Sequence, residues 1–284
     1  MSSDEGVQLI VSDVGAMSAA TRLLGAVGGS VSPDGGYLAM VRGAADKDTL
    51  VIIKRPEMSI AAGLSSPAGE RFGVVHWVSG AQVLAETATD RGATLSPLPN
   101  GRLISLKIDG SRSTLIKAAA DSGAKQLRSV LVSILPDDPA HVLAAAAGLC
   151  EPPVCTPDEA RVRRLVKLNV ETGEKALIGG TPPVNGYYVS DPTGQRLMLA
   201  GRADDGRVEV YRWQNSIWEA VLDFDPTSDI GTVPFAIDAQ GRHFALANKR
   251  GTAALYAWDL AAGETTEIFR DSVSDIDDHI TTWG

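Results

Sequence analysis

The stretch that decides the fold runs from Val31 to Val41 and reads VSPDGGYLAMV. Its Asp34 side chain can accept a hydrogen bond from the backbone two residues on, and the following glycine takes the positive φ that a hairpin turn requires. The apolar residues after the turn alternate so that one face of a strand can be buried. The stretch therefore predicts a β-hairpin.

The same pattern recurs four more times along the chain. The copies read HWVSGAQVLAE (76–86), SILPDDPAHVLAA (133–145), VSDPTGQRLMLAG (189–201) and AIDAQGRHFALAN (236–248). The turn markers of the five copies, which are Asp34, Ser79, Asp137, Asp191 and Asp238, follow one another at intervals of 45 to 58 residues. A loose period of about 40–50 residues is typical of propeller blades.

A second hairpin follows most of these copies. These hairpins read GRLISLKIDGSRSTLI (101–116), RRLVKLNVETGEKALI (163–178), VEVYRWQNSIWEAVL (208–222) and AALYAWDLAAGETTEIF (253–269). In the first copy the strand at 49–56 has no visible return partner, because a loop rich in Ala, Ser and Gly follows it. Two hairpins per period supply the four strands of one blade. A β-sandwich would also show short strands, but it would not repeat one turn chemistry five times.

We therefore predict an all-β fold, a β-propeller of four-stranded antiparallel blades. About five blades are visible, either as a five-bladed closure or as part of a seven-bladed ring. The expected domains are an N-terminal segment, 1–25, and the propeller, 26–284, with blade-like units at about 26–60, 71–118, 128–178, 184–224 and 231–270. The segments 12–24 and 117–126 could form short helices. Eight residues are assigned structural roles in blade turns: Asp34, Gly35, Asp109, Gly110, Asp191, Gly194, Asp238 and Gly241.

Composition narrows the classes of partner. The 284 residues carry a formal net charge of −9, which argues against nucleic acid as a partner. No apolar run approaches the length of a membrane span, and the acidic N-terminus lacks the basic region of a signal peptide. We expect a soluble protein, cytoplasmic as written, or periplasmic or secreted if a leader has been removed.

Residues that could carry chemistry are few. Cys150 and Cys155 could close a short disulfide loop in an exported protein, or remain two free thiols in a loop. The four histidines show neither H-x-H nor HExxH spacing, so we interpret them as ordinary strand residues. We expect no catalytic residue, metal or cofactor in this chain.

Several of the quoted segments resemble a known family. VSPDGGYLAMV, LPDDPAHVLAA, VETGE and SDPTGQRLMLAG are similar to the N-terminal β-propeller of prolyl-oligopeptidase-type serine peptidases, particularly the acylaminoacyl-peptidase-like branch. Such blade turns also occur in WD40-like propeller repeats. In the peptidase family the propeller covers an α/β-hydrolase domain, admits short peptides and excludes folded proteins. The resemblance spans roughly 25–284 and implies a hydrolase domain and peptide substrates as partners.

The hydrolase nucleophile is missing from these residues. A nucleophile elbow requires Gly-x-Ser-x-Gly, and the nearest segments, 28–32 and 63–67, lack the second glycine. The leading hypothesis is therefore a non-catalytic propeller that gates a hydrolase domain. The alternative is a stand-alone propeller that acts as a protein- or ligand-binding scaffold. A weaker third hypothesis is a propeller enzyme of lyase or glycosidase type that uses Asp and His in its channel.

Overall fold

The protein is described by a computed structural model that covers residues 26–44, 47–92, 96–116, 129–146, 162–180, 182–227, 231–249 and 251–276. These residues form twenty strands in five four-stranded antiparallel sheets, which confirms the predicted all-β fold of four-stranded blades. No helix occurs within the described ranges. The two segments predicted as short helices, 12–24 and 117–126, lie outside them.

The five blades follow one another along the chain. Blade 1 consists of β1 (Ala26–Val31), β2 (Tyr37–Gly43), β3 (Asp48–Lys54) and β4 (Ser59–Ser65). Blade 2 consists of β5 (Glu70–Ser79), β6 (Gln82–Thr89), β7 (Leu98–Lys107) and β8 (Arg112–Ile116). Blade 3 consists of β9 (Val130–Ile134), β10 (His141–Ala146), β11 (Arg164–Asn169) and β12 (Lys175–Leu177). Blade 4 consists of β13 (Asn185–Ser190), β14 (Leu197–Arg202), β15 (Val208–Gln214) and β16 (Ile217–Phe224). Blade 5 consists of β17 (Thr232–Ile237), β18 (His243–Ala247), β19 (Ala254–Asp259) and β20 (Glu264–Phe269).

Every sheet is a simple meander. Its strands are consecutive in the sequence, and their order across the sheet is their order in the chain. Among the described strands, no blade therefore combines strands from the two ends of the chain. The strands fall into two compact units, 1–128 with 169–174, and 129–168 with 175–284. The first unit contains blades 1 and 2, and the second contains the strands of blades 3 to 5 except Asn169 at the end of β11.

The core of the first unit lies between its two sheets. Leu50 and Ile52 of β3 are fully buried and belong to one apolar cluster with Val83 and Ala85 of β6. Their spacing of two residues follows from the alternation of side chains across a pleated strand. The indole Nε1 of Trp77 donates to the Ser30 carbonyl oxygen at 3.0 Å and so ties blade 2 to β1.

A buried carboxylate also joins the two blades of this unit. Asp48, at the start of β3, is only 3% exposed. Its Oδ2 accepts a hydrogen bond from the backbone N–H of Phe72 at 2.9 Å, and its Oδ1 lies 3.1 Å from Nη1 of Arg71. Arg71 Nε also donates to Asp90 Oδ2 at 2.8 Å. Asp48 thus ties the first strand of blade 2 to the third strand of blade 1.

In the second unit, β14 contributes to two apolar layers. Leu197 and Leu199 pack into a cluster with residues of blade 3, whereas Met198 and Ala200 pack into a cluster with residues of blade 5. All four side chains are at most 2% exposed. The continuous apolar run of β14 therefore reflects a strand that is covered on both faces.

The pairing of β13 with β14 includes a very close backbone approach. Gly186 pairs with Gly201, and a Cβ atom placed on Gly186 would lie 1.8 Å from the Ala200 carbonyl oxygen. A side chain at this position cannot fit without moving the strands apart. Gly186 is therefore required by the packing of the two strands.

Candidate functional site

An open cleft of about 570 Å³ lies between blades 4 and 5 within the second unit. Its volume falls within the range of about 300–1,000 Å³ that is common for small-ligand sites. Strand ends of both sheets form it. The side chains that define its chemistry are Arg196, Arg212, Arg242, His243, Trp258, Asp259 and Leu260.

Strand register places two arginines on the face of blade 4 that meets blade 5. Arg212 pairs directly with Met198, which packs against blade 5. Arg196 precedes Met198 by two residues and therefore shares its side of the sheet. In blade 5, His243 pairs directly with the buried Trp258. The register thus brings two guanidinium groups opposite an imidazole and an indole.

A carboxylate orients each of these two guanidinium groups. Arg196 Nη1 donates to Oδ2 of Asp191 at 3.2 Å, and Asp191 is fully buried. Arg212 lies with Nε at 3.0 Å and Nη2 at 2.9 Å from one oxygen, Oε2, of Glu219. The side chains of Arg196 and Arg212 remain 51% and 33% exposed. Both arginines are therefore held in position while they still face solvent in the cleft.

The imidazole of His243 is influenced by its burial and by charged neighbours in both blades. Burial lowers the pKa of its imidazole below the ordinary value, and the charges of Arg196 and Arg212 lower it further. Asp238 and Asp191 raise this pKa, but each by less than either arginine lowers it. Burial and the two arginines of blade 4 therefore both disfavour protonation of the His243 imidazole.

The titration of His243 provides a direct test of the effect of these neighbours on its pKa. We expect an NMR titration of its imidazole to give a pKa below the ordinary histidine value of about 6.5. A lower pKa in the folded protein means that the unfolded chain takes up the proton more readily. The stabilisation that His243 contributes is therefore complete above about pH 6.5, and it is lost as the pH falls through the folded-state pKa. Arg212→Gln, which removes a positive charge, is expected to raise the pKa of His243. An unchanged pKa in this variant would contradict a field produced by Arg212.

Four of the eight predicted turn residues belong to the two turns that precede cleft residues Arg196 and Arg242. Asp191 Oδ1 accepts hydrogen bonds from the backbone N–H groups of Gln195 and Arg196 at 3.0 and 3.1 Å. Gly194, in the same turn, has a φ of 72°. This turn fixes the start of β14, and with it the position of Arg196.

The corresponding turn of blade 5 contains Asp238 and Gly241. Asp238 Oδ1 accepts from the backbone N–H of Arg242 at 2.8 Å, and its Oδ2 accepts from Arg242 Nε at 2.6 Å. Gly241 has a φ of 80°, and a Cβ atom there would lie 2.6 Å from Arg196 Nε. Glycine at this position therefore allows the arginine of blade 4 to lie against the turn of blade 5.

The other four predicted turn residues belong to the first unit and do not line the cleft. Asp34 Oδ1 accepts from the backbone N–H of Gly36 at 3.0 Å, and Gly35 has a φ of 72°. Asp109 Oδ1 accepts from the backbone N–H of Ser111 at 2.8 Å, and Gly110 has a φ of 85°.

The remaining sequence interpretations have separate outcomes. Cys150 and Cys155 lie outside the described residues, so their pairing stays a prediction. Within the described ranges, no cluster of three or more His, Cys, Asp or Glu side chains is arranged to hold a metal ion. The same described residues include no helix with the length and apolar character needed to cross a membrane.

Sequence reasoning missed Arg196 and Arg212 as members of a site. The sequence does contain a signal for Arg196, which is the alternation of side chains between the two faces of a strand. Arg196 lies two and four residues before the buried Met198 and Ala200, so it belongs to the same face of the sheet. An arginine at an inward-facing position near a strand end indicates a charged group at the mouth of a blade interface. Recognising His243 as its neighbour additionally requires knowing how the two sheets pack.

The fold and the cleft define a β-propeller domain with a cleft of paired arginine and acidic side chains between two adjacent blades. No sequence model of a known family matches the chain, and no curated protein matches it in sequence. Solved structures do match it in fold. The β-propeller domain of the trilobed protease from Pyrococcus furiosus is 14% identical with a TM-score of 0.52, over 89% of this chain and 72% of that one.

Two other solved proteins extend the comparison. The acylaminoacyl peptidase of Pyrococcus horikoshii is 14% identical with a TM-score of 0.51, over 87% of this chain and 39% of its own. The oligogalacturonate lyase of Vibrio parahaemolyticus is 14% identical with a TM-score of 0.54, over 86% of this chain and 65% of its own. This chain thus spans less than two thirds of both proteins. The resemblance to acylaminoacyl-peptidase-type propellers is confirmed as a likeness of fold.

Proposed function

We propose that this chain is a non-catalytic β-propeller that restricts the access of peptides to an α/β-hydrolase domain lying outside these 284 residues. The observation that carries the proposal is the match between nearly all of this chain and only 39% of the acylaminoacyl peptidase. More than half of that enzyme therefore has no counterpart in these residues. These residues also lack the Gly-x-Ser-x-Gly pentapeptide of a hydrolase nucleophile, which supports a non-catalytic role for the propeller.

Steric selection is the mechanism that this proposal implies. A propeller over an active site excludes folded proteins by size, and it needs no reactive side chain for this purpose. The described residues suit the role, because each blade is a four-stranded antiparallel sheet and buried apolar side chains pack between neighbouring blades of each unit. Binding and catalysis would then be separated between the propeller and the hydrolase domain.

The experiment compares a short and a long substrate. The chain is combined with the α/β-hydrolase encoded by the same gene or a neighbouring one, and cleavage of a chromogenic tripeptide is measured beside cleavage of reduced, unfolded casein. We expect the chain alone to hydrolyse neither substrate. In the complex it should raise the ratio of tripeptide to casein cleavage by at least about tenfold, equivalent to 1.4 kcal/mol of discrimination.

An unrelated propeller added at equal concentration is the control. Peptide hydrolysis that copurifies with the chain itself would contradict a non-catalytic role. An unchanged ratio with the cognate hydrolase would contradict gating.

A further inference from the structure

The last strand of each blade pairs with only one other strand of its sheet, so its outer edge could pair with another chain. Natural proteins commonly protect such an edge with charged side chains or proline. Among the last strands, β8, β12, β16 and β20 each carry at least one charged residue. The last strand of blade 1, β4 (SIAAGLS), carries neither a charged residue nor a proline. Of these five edges, the edge of β4 is therefore the least protected.

The hydrogen bonds of blade 1 show which backbone groups of β4 point outward. The register of β4 against β3 is continuous over 62–65. Directly after it, the N–H of Ser66 donates to the Asp48 carbonyl oxygen at 2.9 Å. Bonded and non-bonded pairs alternate along an antiparallel ladder, so Ser65 and Gly63 are the residues that do not bond to β3. Their backbone N–H and C=O groups point away from the sheet, and both residues are exposed.

A second cleft, of about 740 Å³, lies along this edge between blades 1 and 2 of the first unit. Strand β4 forms one side of it, and Arg112 and Thr114 of β8 form the other. These two residues pair directly with Leu106 and Ile104, which belong to the apolar cluster between the two blades. Directly paired residues share a face of the sheet. The side chains of Arg112 and Thr114 therefore lie on the face of blade 2 that meets blade 1.

The charge of this second cleft is that of one arginine. Arg112 is the only charged residue among the described residues that line it. The guanidinium group is exposed, and no ion pair or hydrogen bond engages it within the described part of the chain. The three arginines of the cleft between blades 4 and 5, by contrast, are each paired with a carboxylate. All five N–H donors of Arg112 are therefore available to an acidic group.

The form of the cleft matches an extended chain. Gly63 and Ser65 present backbone donors and acceptors at the two-residue spacing with which a neighbouring strand would bond. Their small side chains leave the edge accessible. Ile60, Leu64 and Ile104 supply an apolar surface beside the edge, suited to alternate side chains of an added strand.

We propose that an extended, acidic segment of a partner protein adds to β4 as a fifth strand of blade 1. Gly63 and Ser65 exchange backbone hydrogen bonds with this segment, and Arg112 contacts one of its acidic side chains. In this mode of recognition the main chain supplies affinity and the side-chain contacts supply specificity. The surface lies within the first unit, and the proposal does not rest on the gating function.

The contribution of Arg112 is tested by isothermal titration of the full chain with acetyl-Thr-Val-Glu-Val-Thr-amide and with the same peptide carrying glutamine instead of glutamate. We expect the glutamate peptide to bind at least about tenfold more tightly than the glutamine peptide. Arg112→Gln should remove this difference. Lys54→Gln is the control for the loss of a positive charge, because Lys54 belongs to blade 1 but does not line the cleft.

The contribution of the backbone edge is tested at Gly63. Gly63→Pro removes an outward N–H, and edge strands accept proline where the N–H faces solvent. We expect this variant to bind the glutamate peptide at least about tenfold more weakly. Gly63→Ala keeps the N–H, and a Cβ atom there comes no closer than 3.8 Å to another atom, so it should bind like the parent. Circular dichroism verifies that each variant is folded.

A modified peptide tests strand pairing without any change to the protein. Only every second residue of an added strand bonds to the edge. N-methylation of one alternate set of peptide residues should therefore abolish binding, whereas N-methylation of the other set should be tolerated.

Four results would overturn the proposal. The first is no binding of the glutamate peptide up to about 1 mM. The second is equal affinity of the glutamate and glutamine peptides, which would exclude recognition by Arg112. The third is equal binding by the Gly63→Pro and Gly63→Ala variants, which would show that the backbone edge is not used. The fourth is a dimer in analytical ultracentrifugation that Gly63→Pro dissociates, which would show that a second copy of this chain occupies the edge.

Discussion

Asp48→Ala is expected to lower the free energy of unfolding by about 3 kcal/mol, the lower end of the range for breaking a buried ion pair. The variant leaves the buried N–H of Phe72 without the carboxylate that accepts its bond. It also removes one of the two acids that pair with Arg71, and Asp90 retains the other contact. Urea unfolding followed by tryptophan fluorescence measures the change.

Two further variants separate charge from hydrogen bonding at this position. Asp48→Asn keeps an oxygen for the Phe72 N–H and loses only the charge, so we expect a smaller loss than for alanine. Asp223→Ala removes an aspartate that also pairs with an arginine but is 63% exposed, and we expect little change in stability. Similar losses at Asp48 and Asp223 would refute the assignment of Asp48 as a buried tie between blades.

Gly186→Ala is expected to destabilise the second unit by about 3 kcal/mol, because overpacking forces the backbone apart. The added methyl group would meet the Ala200 carbonyl oxygen and the Cα of Gly201, neither of which can rotate away. Thermal unfolding measures the loss. Hydrogen exchange should locate it in β13 and β14.

Gly180→Ala is the matched control in the same unit. A Cβ atom there meets no atom within 4 Å, and its backbone lies outside the left-handed region. Alanine at such a site restricts the unfolded chain, so the variant should be equal to or slightly more stable than the parent. Wild-type stability of Gly186→Ala would show that the two strands are not as close as described.

The hairpins could be predicted because their signals are local. The Asp34 and Gly35 turn and the alternation after it lie within eleven residues, and they define the start of β2. The strand β4, SIAAGLS, which pairs with β3, could not be predicted because alanine, serine and glycine have little intrinsic preference for strands. It forms because Ala62 and Leu64 become buried where β4 pairs with β3.

The cleft could not be predicted from local signals. Arg196 and His243 are separated by 47 positions, and each belongs to a hairpin that looks complete by itself. Their proximity depends on which face of each sheet meets the next, and this is decided by packing of residues such as Met198 and Ala245. The sequence repeat predicts the blades, whereas the cleft lies between two of them.

The meander order of the strands has a consequence for synthesis of the protein. Since each blade uses four neighbouring strands, its pairing is complete once the fourth strand has left the ribosome. Pairing between nearby segments closes short loops and is fast compared with pairing across a whole chain. Blades can therefore complete their strand pairing one after another during translation.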